Sequence, residues 1–98
     1  MNRLSMKHLR YFEALAQRRH FGRAAEDCAI SQPALSVQIK ELEALIGAPL
    51  VERSARRVHL TGLGEVFAER AGEILRSVDE LEELGRAGSG PLAGRLRI

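Results

Sequence analysis

One stretch constrains this chain more than any other: Ser31-Gln32-Pro33-Ala34-Leu35-Ser36-Val37-Gln38-Ile39-Lys40-Glu41-Leu42-Glu43-Ala44-Leu45-Ile46-Gly47. It predicts a helix with both ends marked. Ser31 suits the N-cap, where its hydroxyl accepts a hydrogen bond from an otherwise unpaired amide of the first turn. Pro33 is tolerated there because its missing N–H costs nothing. Gly47 suits the left-handed residue that closes a helix. Leu35, Ile39, Leu42 and then Leu45 or Ile46 recur at three- and four-residue steps, which places them on one buried face.

The other side of the first two turns carries Gln32, Pro33, Ser36, Val37 and Lys40. A helix shaped only for solubility usually shows Glu and Lys along its exposed turns. Here the groups are short and polar, with one β-branched apolar residue. Gln pairs bidentately with adenine, Ser pairs with several base edges, and a small apolar side chain meets a thymine methyl. No carboxylate precedes Glu41, so the leading end approaches phosphates without repulsion. An ordinary surface helix remains the alternative on this stretch alone.

Charge distribution favours the first reading. Residues 1–60 hold ten Lys or Arg against six Asp or Glu, whereas residues 61–98 hold five against seven. A basic front half points to a polyanion partner. Ninety-eight residues make one domain with a modest core, and the 45% hydrophobic content is that of a globular chain. The single cysteine, Cys28, excludes an internal disulfide and suits a reducing cytosol. With no signal peptide and no apolar run long enough to span a bilayer, a soluble cytoplasmic protein without membrane contact is expected.

Upstream, Met6 to Arg18 predicts a helix whose buried stripe is Met6, Leu9, Phe12, Leu15 and Ala16. The basic run Arg18-Arg19-His20-Phe21-Gly22-Arg23 follows, with Phe21 as an apolar anchor. Lying before a short helix, it reads either as a solvated loop or as a phosphate clamp. That helix is expected over 23–29, with Ala24, Ala25 and Cys28 inward; paired alanines allow the close crossing of a helix-turn-helix. Cys28 is read as a small core residue rather than a redox thiol, which would need exposure and a lowered pKa.

Downstream, residues 50–53 and 57–60 flank Ser54-Ala55-Arg56 and predict a short hairpin. Val58 and Leu60 alternate with Arg57 and His59, as a half-buried strand requires. Arg53, Arg56 and Arg57 put guanidinium groups at its tip, where they reach a phosphate backbone or a minor groove. Thr61 is a further N-cap for a helix over 62 to about 84. Phe67, Ala71, Ile74, Val78 and Leu81 form a heptad stripe on it. A small domain cannot cover so long a helix, so this stripe is expected to dimerise, with only its first turn or two folded back on the chain's own core. Residues 85–91 are rich in glycine and predict a hinge, and Leu92 to Ile98 alternates like the start of a strand. That strand has no partner, so a shortened chain is expected, with a second domain removed. The divisions are thus 1–61, a winged helix-turn-helix; 62–86, a linker helix; and 87–98, a hinge.

Together these residues resemble the N-terminal DNA-binding domain of LysR-type transcriptional regulators. The strings LRYFEALA, HFGRAAEDCAISQPALSVQIKELE, LIGAPLVER and RRVHLT, with the glycine at position 64, cover nearly the whole chain. The resemblance implies a mainly α fold: three helices and a two-stranded wing, then a long dimerising linker helix. It implies a dimer on a dyad-symmetric operator, a tetramer and RNA polymerase as further assemblies of a full-length bacterial regulator, and a location on the nucleoid. Gln32, Pro33, Ser36 and Val37 are the expected base readers. Arg23, Ser31, Gln38, Lys40, Arg53, Arg56 and Arg57 are the expected backbone contacts. Val51 departs from the family's aromatic or Leu, which implies a thinner contact under the wing. The glycines at 62 and 64 imply a looser first turn of the linker helix. RRHFGRAAEDCAISQ and VERSARRVHLT look most like the peroxide-sensing OxyR group.

Enzyme chemistry is not expected. His8, His20, His59 and Cys28 fall in different elements without ligand spacing, and no Gly-rich phosphate loop follows a strand. No cofactor or metal is implied. RNA is disfavoured because no aromatic platform for stacked bases is visible. The rival reading is a protein-interaction module that dimerises through residues 62–84, with its basic face incidental.

Overall fold

The computed structural model describes residues 3–52 and 57–88. The order is α1 (Met6–Arg18), α2 (Phe21–Asp27), α3 (Gln32–Ile46), β1 (Val51–Glu52), β2 (His59–Leu60) and α4 (Gly62–Gly88). The strands are antiparallel, with Val51 opposite Leu60 and Glu52 opposite His59.

The core forms where α1, α2 and α3 meet the base of the wing. Phe12, Leu15, Ala24, Ala25, Leu35, Ile39, Leu42 and Leu50 are buried together with Val51 and Leu60. Val51 is fully enclosed despite its small size. The two alanines face inward as expected and let α2 approach α1 and α3 closely. Ser31 caps α3 by accepting the Ala34 N–H at 3.1 Å. Gly47 closes it at φ 85°, donating its N–H to Glu43 O at 2.8 Å.

The short helix begins earlier than the sequence predicts and ends earlier too. His20 is extended, and its Nδ1 accepts the Arg23 N–H, so the imidazole is the cap and Phe21 the first helical residue. Ala29, at φ 58°, already lies in the turn, where the Ile30 N–H bonds Ala25 O. The stripe on α1 is also shifted. Met6 is exposed, whereas His8 is 5% exposed and joins Leu9, Phe12 and Leu15 on the inner side.

Helix α4 folds back much further than one or two turns. Phe67 meets Phe12 edge-on, with ring centroids 5.6 Å apart, and Ala71 and Leu75 are buried against Leu9. Arg10 faces Asp79 at 3.7 Å, so α4 runs along α1 from Phe67 to Asp79, about three and a half turns. Phe67 and Ala71 are therefore taken up by the chain's own packing, because a full-length α1 lies alongside to cover them. The helix also continues to Gly88, past the expected break at Gly85. One glycine costs a helix about 1 kcal/mol, which is too little to end one otherwise built of good helix formers.

Cys28 ends α2 half-buried rather than enclosed. Burial pushes its thiol up from the usual range, and the neighbouring Asp27 charge adds to this. Below that raised value the group stays a neutral thiol, the unreactive form. A thiol reagent at neutral pH should therefore label Cys28 more slowly in the folded chain than in urea, and the folded chain should need a more alkaline pH to reach its full rate. Equal rates in both states would show an ordinary exposed thiol.

Candidate nucleic-acid interface

The outward side of α3 is the side its cap and its buried stripe leave over. Gln32 and Pro33 are exposed, Ser36 is half-buried, Val37 is 58% exposed and Lys40 is exposed. Steps of one and four residues bring these five to one face. Gln38 is half-buried on the far side of Val37, away from Gln32 and Ser36. The Ser31 hydroxyl is engaged in its cap.

Two basic clefts share Arg19, His20, Arg57 and Val58, and the second of them reaches this face. Arg18, Arg19, His20 and Arg23 line the first together with Arg57, Val58 and His59 of the wing. The second brings Gln32 to Arg57 and to Gly22 at the start of α2. The start of α3, the start of α2 and the wing thus converge. Arg53 and Arg56, expected at the wing tip, lie outside the described residues.

The basic run before α2 is not an open clamp. Arg18 grips Asp27 bidentately at 2.7 and 3.1 Å, and that hydrogen bond, reinforced by the charge, raises its pKa above the usual guanidinium value. Arg19 donates to Ala16 O and to both oxygens of Glu65. Arg23 and Arg57 form no ion pair with a described residue and keep their charge for the cleft. His20 spends Nδ1 on the cap, which leaves Nε2–H as its neutral-form donor. Sequence reading could not separate these arginines, because Asp27 and Glu65 reach them only through the fold.

Two positioning residues escaped the sequence reading. Glu43 Oε2 accepts the N–H groups of Leu50 and Val51 at 2.7 and 3.0 Å, tying α3 to the first strand of the wing. Its position among Leu42, Leu45 and Ile46 was the available signal, since an acid beside a buried stripe needs a partner. His8 links α1 to Glu41 of α3 at 2.9 Å. The Ser5-x-x-His8 spacing is that of a capping box with His in place of Glu or Gln, which hides the pattern.

These elements are a helix-turn-helix with an adjoining wing, and comparison with known proteins decides the family. Residues 6–65 match the family of bacterial regulatory helix-turn-helix proteins, lysR family. This chain belongs to that family. As a LysR-family chain it is a regulator's domain by descent rather than an enzyme. It is 45% identical over 93 residues to the hydrogen peroxide-inducible genes activator of Dickeya chrysanthemi, covering 91% of this chain and 30% of that protein. The chain therefore spans under a third of that relative's length. Full-length OxyR from Pseudomonas aeruginosa superposes with a TM-score of 0.87 at 43% identity, over 92% of this chain and 30% of that one. The DNA-binding domain of BenM in its complex with catB site 1 DNA superposes with a TM-score of 0.84 at 39% identity, over 89% and 98% of the two chains. The winged-helix fold with its linker helix is thus the LysR fold. Among the described residues no helix is long and apolar enough to cross a membrane, and no group of three or more His, Cys, Asp or Glu could hold a metal.

Proposed function

We propose that this chain reads double-stranded DNA at a dyad-symmetric operator, as a homodimer, within a LysR-type regulator that responds to peroxide. The observation that carries the DNA reading is the cleft that joins Gln32, at the start of the carboxylate-free face of α3, to Arg57 of the wing, which with Arg23 lines the adjoining basic cleft; neither arginine forms an ion pair with a described residue. Gln32, Pro33, Ser36 and Val37 read bases in the major groove. Arg23, Ser31, Gln38, Lys40, Arg53, Arg56 and Arg57 hold the backbone. The BenM domain, similar in fold and solved on DNA, supports this assignment. Likeness to the Dickeya activator and to Pseudomonas OxyR supports the peroxide response. Dimerisation falls to Ile74, Val78 and Leu81, because Ile74 and Leu81 are 45% and 67% exposed and Val78 is half-buried beside them. The regulator works in the bacterial cytoplasm on the nucleoid, as a dimer or tetramer that contacts RNA polymerase.

One experiment separates the roles. A duplex selected from a random pool by the wild-type chain is titrated at several salt concentrations and footprinted. Gln32→Ala or Ser36→Ala should relax discrimination by roughly 1–3 kcal/mol at one or two base pairs per half-site, with the salt slope unchanged. Arg57→Ala should weaken binding to all sequences and lower the slope by about one. Ile74→Asp should reduce two protected half-sites to one. If Arg57→Ala alone shifts sequence preference, the wing is the reader and α3 an anchor. Binding of wild type that is indifferent to salt would favour the interaction-module reading instead.

A further inference from the structure

We propose that His8 is a positioning residue for DNA recognition: it holds the Glu41 carboxylate of α3 against α1 and keeps that negative charge off the face that meets DNA. This rests on the DNA-reading function proposed above.

The imidazole is locked at both nitrogens. Nδ1 accepts the Ser5 N–H at 3.1 Å, so the proton of the neutral ring lies on Nε2. Nε2–H then donates to Glu41 Oε1 at 2.9 Å. The Ser5 hydroxyl lies 3.0 Å from Nδ1 and also takes the His8 backbone N–H, so the capping box fixes the ring plane. The side chain is 6% exposed, against 49% for its partner. Next along α1, Leu9 is buried against Ala71 and Leu75, so α4 pins the backbone that carries His8. His8 is therefore a fixed post, and Glu41 is the group that moves when the post is removed.

Glu41 is the first carboxylate of α3 and follows Val37 by four residues. Residues at that spacing lie on the same side, with Cβ atoms about 6 Å apart. A released carboxylate would border the base-reading face next to Lys40. Against a polyanion, a like charge at the rim slows association and weakens the complex. The imidazole hydrogen bond prevents this by directing the carboxylate to α1.

The test uses this 98-residue chain and the duplex selected by wild type. His8→Ala removes the post together with the side-chain acceptor for the Ser5 N–H. His8→Glu keeps a capping-box acceptor and repels Glu41, so it remains informative if the alanine variant does not fold. Each should bind about fivefold more weakly than wild type at low salt, the scale of one partly exposed charge facing a polyanion. Adding Glu41→Gln to either should restore affinity to within about twofold, and Glu41→Gln alone should change it by less than that. The deficit should shrink as salt rises, because a surplus charge is screened whereas a packing defect is not. A folded His8 variant that binds like wild type overturns the proposal. So does a deficit that ignores both salt and Glu41→Gln, or a large gain from Glu41→Gln alone. If wild type itself shows no salt-sensitive duplex binding, the DNA-reading function fails and this inference falls with it. Unaffected His8 variants beside a binding wild type overturn this inference only.

Discussion

Gly64→Ala should lower the stability of this chain by about 3 kcal/mol, or about 15 °C in melting temperature for a domain of this size. The sign is opposite to what an exposed helix would show, where alanine is the better helix former. Gly64 is buried at the start of α4, one turn after the Thr61 cap, whose hydroxyl accepts the Gly64 N–H at 2.9 Å. A Cβ built there would lie 2.1 Å from the carbonyl oxygen of Leu50 and 3.1 Å from Leu60 Cβ. The obstacle is backbone, and that carbonyl already accepts the Thr61 N–H at 3.0 Å, so it cannot swing aside cheaply. Thermal unfolding followed by circular dichroism measures the effect. A loss below about 1 kcal/mol would mean that the wing base yields easily. The glycine at 64 thus does the reverse of loosening the first turn of α4; it lets the helix start directly on the wing. Gly62 has open space around its missing Cβ, so the same substitution there should be tolerated and serves as the control.

Glu43→Ala should cost about 2–4 kcal/mol, because two backbone N–H groups at the root of the wing lose a charged acceptor in a half-buried place. Glu43→Gln should lose about 1 kcal/mol, since an amide oxygen can still accept both bonds without the charge that strengthens them. Amide exchange at Leu50 and Val51 should accelerate in the alanine variant more than exchange at Leu35 or Phe12. Uniform acceleration across all four would show that Glu43 supports global stability without a special hold on the wing. Because the wing carries Arg57, the alanine variant should also bind DNA less tightly when assayed well below its melting temperature.

The outcome at particular residues shows what could be read in advance. Ser31, Leu35, Ile39, Leu42 and Gly47 declared α3 completely, because caps and helical periodicity are local properties of the chain. The paired alanines of α2, the alternation from Arg57 to Leu60 and the Thr61 cap were legible for the same reason. The family followed from those strings, and with it the winged fold.

Local rules failed wherever a residue's partner was distant in sequence. Phe67 and Ala71 carry a heptad signature, but only α1 lying alongside decides that they are covered within the chain while Ile74 and Leu81 stay open. Arg18, Arg19, Arg23 and Arg57 are alike in sequence. Asp27 and Glu65 occupy the first two, at ranges of nine and forty-six residues, and the others are left for the clefts. His8 and Glu41, thirty-three residues apart, carry no periodic signal at all. Hydrophobic patterning and capping are written in nearest neighbours, so the sequence by itself determined the helices, the wing and the outward face of α3. Which charges remain free, and which apolar stripe faces outward, depends on pairings across the core, and only the tertiary structure decided those.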